Sequence, residues 1–231
     1  MELSAPTQEA FALLITGNKE LWTIVWLSVW TAVVAIALAA PAGVALGFLL
    51  AHTRFPGRRV FVVLAQALLS FPTVVVGLII YLLLSRRGPF GSWELLFTPE
   101  AIIIGYIVIS LPIMVVFTLS AVQGGDARIH ETARSLGASR LRASLTTLWE
   151  VRFGVMAAVV NSFGRVISEV GCALMVGGNI AGYTRNIPTA IALETTKGEF
   201  AQGIALGLVL MAIALVVNVA LALLQGEGGM K

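Results

Sequence analysis

Two charged residues, Arg165 and Glu169, stand four apart inside an otherwise apolar stretch. On a helix that spacing puts them on one face. Either one alone at the centre of a bilayer costs about 2.5–3.5 kcal/mol on insertion scales, so the pair must face a wet cavity or a partner helix. Arg165 is a candidate source of positive potential for an anion route, with Asn161 and Ser168 as further lining residues on the same stretch. The alternative is an ion pair that locks helices together, with Asn161 and Ser168 in interhelical hydrogen bonds. Because Glu169 neutralises Arg165 for a passing dianion, the lock is favoured. A second group is Thr184, Arg185 and Asn186. Asn186 is placed to cap a short helix over 187–193, with Pro188 near its start. An open helix N-terminus offers N–H groups and partial positive charge, which suit an oxyanion. The alternative is a surface helix that docks against a binding protein or a partner subunit. No metal-ligand spacing joins His52, His130 and Cys172. No phosphate-binding glycine loop, nucleophile elbow or zinc-protease pair is present. The lone cysteine, Cys172, excludes an intrachain disulfide and reads as a small packing residue.

The elements that carry these groups follow from composition. Of 231 residues, 58% are apolar and only 12% are Asp, Glu, Lys or Arg, about half the roughly 25% of an ordinary soluble domain. Mean hydropathy is +0.94. This excludes a disordered chain, which is charged and poor in apolar residues. The net charge of +3 is too small to point to nucleic acid. A helix needs about 20 apolar residues to cross a bilayer. Five stretches meet that length: 21–51, 60–84, 101–122, 153–176 and 201–224. Pro41, Pro72 and Pro112 fall inside the first three and mark bend points. The first stretch is too long for a leader's apolar core and follows no basic segment, so it reads as a span and not as a cleaved signal. Trp22, Trp26 and Trp30 recur every four residues and form a stripe suited to a lipid interface. The expected fold is an all-α membrane protein of five transmembrane helices.

Five spans put the termini on opposite sides. One set of loops (52–59, 123–152 and the C-terminus) carries nine basic residues, and the other (the N-terminus, 85–100 and 177–200) carries five. The positive-inside bias therefore predicts the N-terminus outside and the C-terminus in the cytoplasm. The expected organisation is an extracytoplasmic segment 1–20, a transmembrane domain 21–225 with a cytoplasmic loop at 123–152, and a cytoplasmic tail 226–231. No internal repeat is visible, and five spans do not divide into inverted halves, which argues against a self-contained carrier. One copy makes a thin wall for a pathway, so a homodimer is expected.

Loop 123–152 is too long for a helix-to-helix turn of about 2–8 residues. Asp126 is a candidate cap for a helix over 127–136, Gly137 a candidate left-handed stop, and Ser139 a candidate cap for a second helix. Arg128, Glu131 and Arg134 can pair at i,i+3, while Leu141, Leu145 and Leu148 line one face of the second helix. Two short amphipathic helices joined by a glycine turn are predicted at the membrane surface. A helix that merely anchors the loop to lipid headgroups is the plainer reading.

The run Glu131-Thr132-Ala133-Arg134-Ser135-Leu136-Gly137 resembles the E-A-A-x-x-x-G motif of type I ABC-transporter permeases. Glu131, Ala133 and Gly137 match, and Thr132 stands for the first alanine. Where that pattern continues as I-x-L-P, this chain reads Thr147-Leu148-Trp149-Glu150. The order of spans and loops over roughly 20–225 is similar too. Within the family the chain looks most like the molybdate and tungstate branch. The stretches that carry this are Arg54-Phe55-Pro56-Gly57-Arg58, Arg86-Arg87-Gly88-Pro89, Ile167-Ser168-Glu169-Val170-Gly171 and Val176-Gly177-Gly178-Asn179-Ile180-Ala181-Gly182-Tyr183-Thr184-Arg185. Thr146-Thr147-Leu148-Trp149-Glu150, together with Gly182-Tyr183-Thr184-Arg185 and Glu194-Thr195-Thr196-Lys197-Gly198, resembles the tungstate members more than the molybdate ones.

The resemblance implies a multi-pass permease of the cell's inner membrane that imports a tetrahedral oxyanion, tungstate first, with molybdate or sulfate as alternatives. It implies a homodimer, two cytoplasmic ATPase subunits docked on a coupling helix, and an extracytoplasmic oxyanion-binding protein. Arg128, Glu131, Ala133, Arg134, Gly137 and Arg140 would contact the ATPase. The chain itself would be no enzyme and hold no cofactor, with ATP and magnesium bound by the partner. A stand-alone channel or secondary carrier is the rival from another class.

Overall fold

The structure, a computed structural model, describes residues 4–126 and 128–225. Among them there is no strand, and eleven α-helices follow one another. They are α1 (Ser4–Ile15), α2 (Lys19–His52), α3 (Arg58–Leu69), α4 (Thr73–Leu84), α5 (Pro99–Gly124), α6 (Arg128–Ser135), α7 (Arg140–Glu150), α8 (Arg152–Ile167), α9 (Gly171–Gly177), α10 (Ile187–Lys197) and α11 (Phe200–Gln225).

Local chemistry starts the long helices where the sequence turns apolar. The Asn18 carboxamide oxygen accepts the N–H groups of Glu20 and Leu21 at 3.0 and 3.2 Å and opens α2. Thr98 caps α5, with Pro99 in its first turn, where a missing N–H costs nothing. Pro41 and Pro112 lie inside unbroken helices. Helices α2, α5 and α11 are each long and apolar enough to cross a membrane.

The other two expected spans are not straight. The second is cut at Ser70–Pro72, where α3 and α4 meet at 101°. Pro72 has no N–H to give the helix and disfavours a helical conformation at Phe71, so it starts a new helix instead of bending the old one. The fourth is cut once within its expected bounds and bent just before them. A 67° bend separates α7 from α8, and Ser168–Val170 separates α8 from α9. Counting each bent pair, α3–α4 and α7–α8, as one span gives between three and five crossings.

The core sits where α2, α5, α8 and α9 meet. Small residues set how closely they approach, as is usual between membrane helices. A Cβ on Gly47 would come within 2.6 Å of the Val115 carbonyl oxygen, and one on Gly105 within 2.6 Å of the Cys172 sulfur. Cys172 is thus a buried packing residue wedged against α5. A second apolar cluster joins Ala10, Leu21, Ile24, Ile187, Ala205 and Leu206, so α1 folds back onto the α2–α10–α11 end of the bundle. Trp22, Trp26 and Trp30 lie on an exposed face. The tail 226–231 lies outside the described residues.

Candidate functional site

The loop after α5 forms the two short helices its sequence predicts. The Asp126 carboxylate accepts the backbone N–H of Arg128 at 2.9 Å and an ion pair from its guanidinium at 3.0 Å. Those hydrogen bonds from Arg128 hold the Asp126 carboxyl below its usual range. At the other end Gly137 takes φ +88°, and the N–H of Ala138 reaches back to the Ala133 carbonyl at 3.0 Å. This is a left-handed helix stop, and glycine adopts it without a steric cost. Ser139 then caps α7 through the N–H of Arg142 at 3.3 Å.

Charge pairing differs from the i,i+3 expectation. Arg128 turns back to Asp126, and Arg134 donates to the Ala138 carbonyl at 2.9 Å. Glu131 is left with an exposed side chain. The exposed apolar face of α7 carries Leu141, Leu145 and Trp149, while Leu148 is half-buried and Ala143 and Thr147 point inward. Helix α6 buries none of its residues. Glu131, Arg134, Gly137 and Arg140 are exposed and Ala133 is half-buried, so the predicted docking residues form one accessible surface.

A contact not evident in the sequence ties this surface to the bundle. The His130 ring on α6 lies 4.9 Å from the His52 ring at the end of α2, which stacks on Phe48 at 4.3 Å. The His130 Nδ1 atom is buried without a hydrogen-bond partner. It stands beside a cavity of about 290 Å³ that Arg54, Gln123 and Glu131 also line. The two imidazoles are 78 positions apart, and no spacing rule joins them. Among the described residues no group of three or more His, Cys, Asp or Glu could hold a metal ion.

In the apolar part of the molecule, Arg165 closes the last turn of α8 and donates to Glu169 at 2.7 Å. Glu169 lies just beyond the helix, so the two do not share an unbroken helix face. The other Glu169 carboxylate oxygen accepts the Cys172 N–H at 3.1 Å and so anchors the start of α9. The Glu169 side chain is 3% exposed and that of Arg165 is 43% exposed. The pair therefore locks the α8–α9 break and leaves one guanidinium edge outward. Asn161 and Ser168 lie on the same exposed stripe as Arg165, and each donates to a carbonyl of its own helix, Ala157 and Gly164, at 2.8 Å. Beside the stripe, Arg165 also borders a small cavity at the α3–α4 bend with Phe71, Thr73 and Pro112.

The start of α10 is closed, contrary to the open anion site its sequence points to. Asn186 caps it, but its side chain is fully buried. Its carboxamide oxygen accepts the Thr189 N–H at 3.0 Å, and its amide donates to the Tyr106 hydroxyl at 2.9 Å. The next N–H, of Ile187, donates to Ser28 on α2 at 2.7 Å. Thr184 is buried too, donating to the Gly177 carbonyl and accepting from the Ile180 N–H. Arg185 reaches Glu20 at 3.6 Å. These groups clamp α2, α5 and α10 together, and the N–H groups at the start of α10 are spent within the fold, while the Arg185 Nε atom is buried without a hydrogen-bond partner among the described residues. Asn186→Ala is therefore expected to cost about 2–3 kcal/mol, from a lost cap and an unpaired buried hydroxyl. Thermal unfolding in detergent reads this, and Asn186→Ser, which keeps the cap, should recover about half.

Residues 43–226 match the family model of binding-protein-dependent transport system inner membrane components. The chain is 37% identical over 218 residues to the tungstate uptake system permease protein of Peptoclostridium acidaminophilum, covering 94% of this chain and 96% of that one. It is 40% identical over 211 residues to the tungstate uptake system permease protein of Campylobacter jejuni, covering 91% and 88%. Its fold matches a chain of a bacterial alginate ABC transporter, crystallised with a pentasaccharide-bound periplasmic protein. The TM-score is 0.75 at 18% identity, over 100% of this chain and 91% of that one.

Proposed function

We infer that this chain, which belongs to the family of binding-protein-dependent transport system inner membrane components, is the permease of an ABC importer for a tetrahedral oxyanion, tungstate first. The observation that carries the choice of tungstate is the near full-length similarity to two tungstate permeases, at 37% and 40% identity. Molybdate and sulfate are the alternatives within the class.

Five crossings are proposed, by α2, α3–α4, α5, α8–α9 and α11, with the N-terminus outside and the C-terminus in the cytoplasm. In this organisation 1–20 is extracytoplasmic, 21–225 is the transport domain and 226–231 is a cytoplasmic tail. Two copies pair so that the exposed stripe of Asn161, Arg165 and Ser168 faces a shared wet pathway, which removes the cost of showing polar groups to lipid. Two ATPase subunits dock on α6 and the start of α7 through Arg128, Glu131, Ala133, Arg134, Gly137 and Arg140, and they bind the ATP and magnesium. A binding protein delivers the anion from outside. Closure of the ATPases pushes the coupling helix, and the bundle switches as rigid bodies between two arrangements. The His130–His52–Phe48 stack gives that push a packed route into α2. Thr184, Arg185 and Asn186 act here as a clamp on the outer end, not as anion ligands.

The test is reconstitution of the chain with its ATPase and binding protein in proteoliposomes. ATP-dependent accumulation of tungstate is expected, half-saturating at lower concentration than molybdate, with sulfate a poor competitor. Uptake that persists without the ATPase would transfer the chain to the channel or carrier class.

A further inference from the structure

We propose that the loop between α4 and α5 carries a second, outward-facing site for a tetrahedral oxyanion, held by Arg86 and Arg87. Its placement on the outer face rests on the orientation proposed above. The loop encloses a cavity of about 680 Å³ lined by Tyr81, Ser85, Arg86, Arg87, Gly91 and Glu94, among others. A water occupies about 30 Å³ of liquid, so an anion fits there with part of its hydration shell.

Three observations point to an anion. First, both arginines border the cavity, and neither guanidinium has an ion-pair or hydrogen-bond partner among the described residues. Among the described residues lining the cavity Glu94 is the one acid, so the two arginines leave the wall net positive. Guanidinium groups match oxyanions as two-pronged donors, and adjacent ones can share one tetrahedral group.

Second, the loop is built rigidly. The Phe90 N–H returns to the Leu83 carbonyl at 3.0 Å, Gly88 to Ser85 at 2.7 Å, and Phe97 to Val176 on α9 at 2.8 Å. Gly88 and Gly91 lie so close to the carbonyls of Leu82 and Ser85 that a Cβ at either would collide with backbone. Glu94 and Phe97 take left-handed backbone angles of φ 51° and 66°, a strain that the surrounding structure has to hold in place. A wall of this kind fixes where the two arginine backbones stand, so the ordering cost on binding is confined to their side chains.

Third, two adjacent arginines lie on the side that the positive-inside bias leaves poor in basic residues. They offer positive groups at that end, where the N–H groups at the start of α10 are spent. The same chemistry fits a free oxyanion from solution or the phosphate of a lipid headgroup, since the loop also carries Phe90 and Trp93, exposed and in tilted ring contact at 4.8 Å, as suits interfacial aromatics.

The test uses the permease–ATPase complex in phosphatidylcholine nanodiscs, with and without phosphatidylglycerol. Binding of inorganic tungstate is measured by equilibrium dialysis without binding protein, and retained phosphatidylglycerol by native mass spectrometry. The double variant Arg86→Gln/Arg87→Gln should weaken one of the two by about tenfold or more, as expected for losing two charge-assisted contacts. Loss of tungstate assigns the site to the free ion, and loss of lipid retention assigns it to headgroups. Glu94→Gln removes the opposing charge and should tighten the same ligand severalfold, which no folding defect would mimic. If neither ligand responds to either change, the site does not exist, and ATP-driven uptake can still stand. If binding responds while the wild-type complex fails to import tungstate, the transport reading fails and the site remains.

Discussion

Arg165→Ala is expected to lower the unfolding stability of the permease by about 2–3 kcal/mol, more than Glu169→Gln. The reason is asymmetric burial. Glu169 is 3% exposed, and without Arg165 its carboxylate keeps only the Cys172 N–H as a partner. Removing one member of a fully buried pair costs about 3–5 kcal/mol because the other charge is stranded, and the 43% exposure of Arg165 reduces that figure. In Glu169→Gln the carboxamide still accepts from Cys172, and the freed guanidinium can turn to water. Arg165→Lys keeps the charge and should recover more than half of the loss. Thermal unfolding of the purified chain in one detergent ranks the three. Equal effects of Arg165→Ala and Glu169→Gln would sink the account of the pair as a lock on the α8–α9 break. Uptake separates the second role. If the outward edge of Arg165 lines the pathway, Arg165→Lys retains stability but transports more slowly.

Gly137→Trp is expected to abolish ATPase association and coupled uptake while hardly changing the stability of the permease. Gly137 has φ +88° and no heavy atom near its missing Cβ, so the change is a matter of backbone conformation and not of space. A left-handed conformation costs an ordinary residue about 1–2 kcal/mol, which is enough to open the turn between two short helices. Helix α6 buries no residue, so its displacement removes little of the core. Gly137→Asn tolerates the left-handed region and should keep most of the association. Glu131→Arg reverses an exposed carboxylate that has no ion-pair partner among the described residues and should also release the ATPase. Co-purification through a tag on the ATPase, read beside ATP-driven tungstate uptake, decides both. Intact association and uptake in Gly137→Trp and Glu131→Arg would remove α6 as the coupling helix.

The parts of this protein that were legible in the sequence are those governed by short-range rules. Asp126, Gly137 and Ser139 mark the ends of α6 and α7 because caps and left-handed stops depend on neighbours within four residues. The apolar runs announced α2, α5 and α11 because a bilayer demands a length that few soluble helices reach. Pro72 was legible as a disturbance but not as a 101° turn, since Pro41 and Pro112 disturb their helices far less. A proline removes one hydrogen bond in every case, and packing of the flanking segments decides whether the helix continues.

What the sequence by itself determined is the class of the molecule: an apolar helical chain with one amphipathic, exposed loop and one ion pair within its apolar part. What only the tertiary structure decided is which polar groups are still free. Asn186 and Tyr106 are 80 positions apart, and Ile187 and Ser28 are 159 apart. Once those groups meet, an apparent anion site becomes a clamp. The Arg86–Arg87 cavity is left unpaired by the same folding. Local rules name the donors a segment carries, but a buried donor must find an acceptor anywhere in the fold. That long-range pairing decides whether a polar residue holds the protein together or remains available to a ligand.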